Sequence, residues 1–363
     1  MDYSDSVNEL LKTQNKLLER ISNLLERQNQ SSRNDREVFV NDIDHDEMRS
    51  GFLVTSHRKK LWNIQINLIN EFARVCKKYN LRWFAFYGTL LGAARHKGFI
   101  PWDDDLDVVM LRPDYEKFRK IAAVELQPYY VDFWYNYKFE SEGGTLTEND
   151  GLHLVTKKHE LQIYRKDLSW PCWPMIKIKD SSTTLMQYLD RKHVNQGIFV
   201  DIFPFDTVPP FSEKLEAEQY AVKRELFMAT IYPLIVQKAI EDNQPTFIKR
   251  DELEKFLSLP FNQRALHFEN FALKTFSRSP FVGEIFHHCV TNKNFSYKID
   301  DFKETVYLPF EKIELPVPAG YENILKDTYG DWKKPVFTHT HAHEWSVDIP
   351  YKEYYEKSAL MRP

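Results

Sequence analysis

Cysteine is scarce: Cys76, Cys172 and Cys289 are the only three in 363 residues. They are too few and too scattered for a disulfide framework or a zinc module. A reducing compartment follows, and the expected location is the cytoplasm. Long apolar runs are also missing, so no segment has the length of a signal-peptide core or of a membrane span. Positive charge is not in excess either. The net charge is −4, so no overall basic field exists to grip DNA or RNA by its phosphates. A nucleotide remains possible as a ligand.

What is present is an ordinary globular composition, 42% hydrophobic and 28% charged, with a high 15% of aromatic residues. The length allows a full catalytic core plus an accessory region. Val7, Gln14, Ile21 and Gln28 recur every seventh position, and Leu10, Leu17 and Leu24 form a second seam. Residues 1–30 therefore read as a short coiled coil, a route to a homo-oligomer, or as an amphipathic helix folded back on its own domain. Residues 31–52 are polar and acidic and read as a linker. A catalytic domain is expected over 53–350, with a mainly helical insert at 212–300 broken by Pro233, Pro245 and Pro260. A Tyr- and Lys-rich tail follows at 351–363.

Within the catalytic stretch, apolar spacing predicts a helix from about Leu61 to Asn80 and a strand over Arg82–Tyr87 that stops at Gly88. A second strand is expected to begin at Asp105 and run through Val108–Met110, and a helix to follow from Pro113 to about Val124. Short strands are expected at His153–Val155, Gln162–Tyr164 and Ile176–Ile178. A stronger one is expected at Gly197–Phe203, closed by Pro204. Residues 302–318 return to β character.

Chemistry concentrates in three places along this pattern. Gly88 lets the backbone approach a phosphate, and Thr89 offers a hydroxyl and an N–H at a helix start, where the dipole favours negative charge. Residues two apart on a strand share a face, so Asp105 and Asp107 can hold a divalent cation together. Asp201 sits in the apolar run Ile198–Phe199–Val200–Asp201–Ile202, where an unpaired carboxylate costs several kcal/mol and needs a metal or a donor. Taken alone, Asp103–Asp104–Asp105 reads as a solvated acidic turn. The other two features give it meaning.

The run Tyr87–Gly88–Thr89–Leu90–Leu91–Gly92–Ala93–Ala94–Arg95–His96–Lys97–Gly98–Phe99–Ile100–Pro101–Trp102–Asp103–Asp104–Asp105–Leu106–Asp107 resembles the signature of the LicD family. That family includes bacterial phosphocholine transferases and the animal fukutin-type ribitol-phosphate transferases. The likeness continues through Arg112–Phe118 and returns at Val200–Pro204 and at Tyr329–Gly330–Asp331–Trp332, spanning about residues 57–350. It implies an α+β fold with a nucleotidyltransferase-like mixed sheet, surrounded by helices. The implied reaction moves a phospho-alcohol from a cytidine-diphosphate-activated donor to a hydroxyl of a glycan or glycolipid acceptor. The implied cofactor is Mg²⁺ or Mn²⁺ on Asp105 and Asp107, with Asp201 as third ligand or as the base. Gly88 and Thr89 would contact donor phosphates, and Arg95, His96 and Lys97 would supply positive charge to the diphosphate. Asp104 would support the turn.

Weaker signals stay open. Lys177 and Lys179 share a face if Ile176–Asp180 is a strand, and bind phosphate or form a solvated face. His339, His341 and His343 alternate in a spacing that can bind metal, although no carboxylate or Cys completes a zinc set; one of them reaching the donor pocket is the competing expectation. His287 and His288 read as structural. Two rival functions remain. One is an Asp-x-Asp glycosyltransferase using Asp105 and Asp107 with a nucleotide-sugar. The other is a non-catalytic scaffold with a degenerate site.

Overall fold

The computed structural model describes residues 37–133, 153–157, 160–164, 175–187, 195–208, 214–274, 279–284, 296–337 and 343–360. The expected coiled coil of residues 1–30, Cys172, Cys289, His287, His288, His339 and His341 lie outside them. The architecture is mixed α+β. Within the expected linker, β1 (Glu47–Arg49) and β2 (Phe52–Val54) already pair as an antiparallel hairpin, so order begins before residue 53.

The first long helix, α1 (Ser56–Lys78), follows its sequence signals closely. The Thr55 side chain accepts from the Arg58 N–H at 3.2 Å as an N-cap, and Lys77 and Lys78 sit in the last turn, where positive charge complements the dipole. Leu61, Ile64, Leu68, Ile69, Phe72 and Val75 are buried along one side. This face packs on the central sheet, against β8 (Ile176–Asp180) and β10 (Ile198–Val208).

The sheet is built around β10. Its neighbour on one side is β4 (Asp107–Leu111), paired in parallel, and β3 (Phe84–Ala85) adds antiparallel to β4. On its other side β10 takes two partners in succession. Antiparallel β8 covers Ile198–Ile202 and itself pairs with β5 (Tyr130–Phe133), while β11 (Phe281–Gly283) covers Asp206–Val208 and leads to β12 (Tyr297–Lys298). The expected stop at Pro204 does not occur. Pro204 falls between the stretch paired with β8 and the stretch paired with β11, so its missing N–H interrupts no ladder on that side.

Two further boundaries differ from expectation. The first strand ends at Ala85, because Phe86 caps a helix, α2 (Tyr87–His96), that already contains Gly88. The acidic run is irregular until Asp107, where β4 begins, so Asp105 precedes the strand rather than opening it. The helix α3 (Arg112–Glu125) starts as the sequence predicts, with Pro113 at its first positions and Asp114 in the first turn. The strands β6 (His153–Lys157) and β7 (Glu160–Tyr164) form a separate hairpin.

The helical insert has a core of its own. Helices α4 (Lys214–Ile231), α5 (Pro233–Glu241), α6 (Arg250–Leu257) and α7 (Phe261–Lys274) enclose Phe227, Val236, Leu253, Phe256, Ala265 and Phe268. Among the described residues after Lys274, β11 and β12 join the sheet. The hairpin β13 (Thr305–Phe310) and β14 (Ile313–Pro318) bears out the β character expected there. Helix α8 (Tyr321–Tyr329) follows, and β15 (Glu344–Ser346) pairs with β9 (Thr184–Met186). The tail expected after Pro350 forms a helix, α9 (Tyr351–Leu360). No helix among the described residues is long and apolar enough to cross a membrane.

Insert and sheet are joined by a buried ionic knot. The Arg112 guanidinium, at the start of α3, donates to both Asp206 carboxylate oxygens at 2.8 and 2.7 Å, to Glu269 of α7 at 2.5 Å and to Glu116 at 3.2 Å. Burial opposes its charge, but Asp206 and Glu269 outweigh that and hold its pKa well above the ordinary arginine value. Arg112→Met leaves two buried carboxylates without their cation, and such breaks cost about 3–5 kcal/mol. Urea unfolding of the variant is expected to show a midpoint lowered accordingly, and an unchanged midpoint would remove the knot as a stability determinant.

Candidate active site

The acidic run Asp103–Asp107 crosses the front of the sheet, and its backbone is held at nearly every position. Three side chains on one face of α1, at positions 58, 62 and 65, reach it. Arg58 Nη1 and Trp62 Nε1 both donate to the Asp103 carbonyl, at 2.8 and 3.0 Å, and Gln65 Nε2 donates to the Asp104 carbonyl at 2.8 Å. The Leu106 carbonyl accepts from the Asp201 N–H at 3.0 Å. The Asp107 N–H donates to the Thr89 hydroxyl at 2.8 Å, while its carbonyl accepts from Phe86 N–H at 3.1 Å. Thr89, buried, thus positions Asp107.

Fixing the backbone this way forces the carboxylates together. Burial raises Asp103 well above the usual carboxylate range, and the nearby Asp105 charge and a side-chain hydrogen bond to Asp105 add to that. Removal from water also raises Asp107, with Asp105, Asp201 and Asp103 contributing and Lys177 opposing. Asp201 lies directly across the parallel ladder from Asp107. Burial raises its pKa too, against the pull of Lys177. Asp104 points elsewhere: fully buried, its Oδ2 accepts from His343 Nδ1 at 3.1 Å.

Beside this cluster opens a cavity of about 380 Å³, lined by Gly88, Arg95, Trp102, Asp103, Tyr329 and Trp332 among others. The first turn of α2 comes so close to Asp103 that a Cβ at Gly88 would lie 2.7 Å from its Oδ2. Tyr329 is shifted upward, first by burial and then by Tyr297, Asp107, Asp103 and Asp105, which places its hydroxyl within the field of three carboxylates.

The expected cationic residues are distributed differently from a phosphate clamp. Arg95 lines the cavity, but its Nη1 donates to the carbonyls of Trp332 and Lys334 at 3.1 and 3.3 Å, pinning the segment after α8. His96 is a neutral ring at neutral pH. Burial and the charges of Arg95 and Arg49 pull its pKa down to about 4, and it meets Arg95 Nε at 2.9 Å. Lys97 is exposed, adopts a left-handed backbone at the end of α2 and lies outside the cavity wall. Lys177 pairs with Asp201 at 2.7 Å, and Lys179 pairs with Asp132 at 2.6 Å and the Asn195 carbonyl at 2.7 Å.

Sequence reasoning passed over Asp103 as a turn residue. Tyr329, Asp331 and Trp332 carry no assigned role in the sequence, although their aromatic and acidic character is a signal, and all three line the cavity. Among the described residues no three carboxylate, imidazole or thiol groups converge as a ready ligand set. What fits a cation is the charge: Asp103, Asp105 and Asp107 are close enough for their carboxylates to bear on one another.

His343 gives this region a pH dependence. Burial works against its charged form, but the hydrogen bond and charge of Asp104 prevail and raise its pKa above 6.5. The contact therefore stabilises in full below that pH and fades as pH rises through the folded-state value. The gap in melting temperature between the wild type and His343→Gln is expected to be wider at pH 5.5 than at pH 9. Equal gaps at both would remove this ion pair.

Comparison with known proteins agrees with the layout. Residues 80–238 match the family model described as LicD/FKTN/FKRP, nucleotidyltransferase domain. The chain is 26% identical over 271 residues to the lipopolysaccharide cholinephosphotransferase LicD of Haemophilus influenzae, covering 74% of this chain and 88% of that protein. Shorter matches link it to uncharacterized proteins of Rickettsia typhi, 41% identical over 54 residues (15% of this chain, 18% of that protein), and Rickettsia prowazekii, 33% over 73 residues (20% and 26%). Residues 80–238 are thus similar to the nucleotidyltransferase domain of the LicD family.

Proposed function

We propose that this protein is a transferase that moves a phospho-alcohol, phosphocholine foremost, from a cytidine-diphosphate-activated donor to a hydroxyl of a glycan or glycolipid. The observation that carries the reading is the massing of Asp103, Asp105 and Asp107 beside a cavity that Asp103 and the first turn of α2 line together. Crowded carboxylates of this kind suit Mg²⁺ or Mn²⁺, which Asp105 and Asp107 would hold. When bound, such a cation supplies stabilisation of the charge that develops on a transferring phosphoryl group. The likeness to the Haemophilus cholinephosphotransferase supports the substrate class.

The side chains divide the remaining work. Thr89 fixes the strand start that aims Asp107. Gly88 keeps the helix terminus close to Asp103, leaving its N–H groups near any donor phosphate. Tyr329, Trp332 and Trp102 give the cavity aromatic faces, with Asp103 and Asp331 beside them, a chemistry suited to a quaternary ammonium. Arg95 positions that wall by holding the carbonyls of Trp332 and Lys334. Asp201 would accept the proton of the attacking hydroxyl. The scattered cysteines support action in the cytoplasm.

A transfer assay compares CDP-choline, CDP-ribitol, CDP-glycerol and a nucleotide-sugar with divalent metal, reading release of the nucleotide product. The expected result is turnover with a CDP-alcohol, lost by at least about a hundredfold in Asp105→Asn and Asp107→Asn at unchanged melting temperature. Near-full activity in either variant would remove the metal assignment, and turnover with the nucleotide-sugar alone would favour an Asp-x-Asp glycosyltransferase. Trp332→Ala is expected to raise KM for CDP-choline by about tenfold, the scale of a desolvated cation–π contact.

A further inference from the structure

One rung of the central sheet carries four charged residues in a row. Asp107 on β4 stands beside Asp201 on β10, Asp201 beside Lys177 on β8, and Lys177 beside Asp132 on β5. Paired residues on neighbouring strands project to the same face, so like charges at Asp107 and Asp201 repel. The sheet answers that repulsion from one side. Lys177 Nζ lies 2.7 and 2.9 Å from the two oxygens of Asp201, and it is braced 3.8 Å from the centre of the Phe199 ring. Lys179 takes Asp132, so Lys177 is left to Asp201.

The carboxylates therefore fall into two groups. Asp201 has a cation built into the fold. Among the described residues, no Lys or Arg forms an ion pair with Asp103, Asp105 or Asp107. We infer that the site takes a single exchangeable divalent cation, on the Asp105–Asp107 side, and that the Lys177 ammonium occupies the Asp201 oxygens that a second one would need. Asp201 is then a lysine-held carboxylate and not a metal ligand. Lys177 acts as a positioning residue, holding the Asp201 carboxylate from the strand on the side away from Asp107. The inference rests on the metal-dependent reading above and adds the stoichiometry of its cation.

Mn²⁺ binding to the full chain, followed by the electron paramagnetic resonance signal of free Mn²⁺ and by calorimetry, tests it without any turnover. The expected result is one Mn²⁺ per chain, weakened by at least about tenfold in Asp105→Asn and Asp107→Asn but by less than about twofold in Asp201→Asn. Lys177→Met, checked for folding by its thermal melt, is expected to admit a second Mn²⁺, because Asp107 and Asp201 then face each other uncompensated. If that variant does not fold, the Asp201→Asn result decides alone. Two ions in the wild type, an Asp201→Asn chain as impaired as Asp107→Asn, or a folded Lys177→Met chain still limited to one ion would overturn the inference while leaving metal dependence intact. A wild-type chain that binds no Mn²⁺ overturns the metal reading and this inference with it.

Discussion

Everything at the site depends on how α1 grips the acidic run. Four carboxylates in five positions repel one another, and left free such a segment would splay into water. Arg58, Trp62 and Gln65 prevent this by donating to backbone carbonyls of Asp103 and Asp104 rather than to the acid groups. The spacing of four and then three residues is the spacing of one helix face. Each such bond contributes only about 1 kcal/mol net. Their joint effect is geometric, because they spend the donors on the main chain and leave the carboxylates to face one another. The same helix buries its apolar side against β8 and β10, so the core and the site share one scaffold.

Much of this was legible in the sequence because it was local. The period of Leu61, Ile64, Leu68 and Phe72 gave a helix, Pro113 and Asp114 marked a helix start, and the glycine, the acids and the isolated Asp201 marked residues that the fold brings together. The departures share a cause, which is that the deciding partner lies far along the chain. A proline ends an isolated strand, but Pro204 sits where two partners hand over, and those partners are residues 176–180 and 281–283. A histidine between Arg95 and Lys97 looks basic, yet burial and Arg49, 47 positions away, hold it neutral. Lys177 and Lys179 read in the sequence as phosphate contacts or as a solvated face, and the sheet instead sets Asp201 and Asp132 against them.

A second long-range tie gives the fold its coherence. The strand that carries Asp201 continues to Asp206, where Arg112 binds it to Glu269 of the insert. The insert has its own hydrophobic core, yet it meets the central sheet through charges buried as deeply as that core. Such charges tolerate little sliding, because a small displacement breaks short hydrogen bonds in a medium of low polarity. The insert and the third carboxylate are therefore connected through one stretch of backbone.

Gly88 shows how far a site can reach into its own sequence. Its backbone is ordinary right-handed helix, and nothing in its torsion angles calls for glycine. The demand comes from outside, from the Asp103 oxygen that occupies the place of a Cβ. A residue required by its neighbour's charge rather than by its own geometry is conditional: it is needed only while that carboxylate is kept. In a relative that had given up the chemistry, position 88 would be released from constraint along with the acids, so a side chain there would serve as a fossil mark of a silenced site.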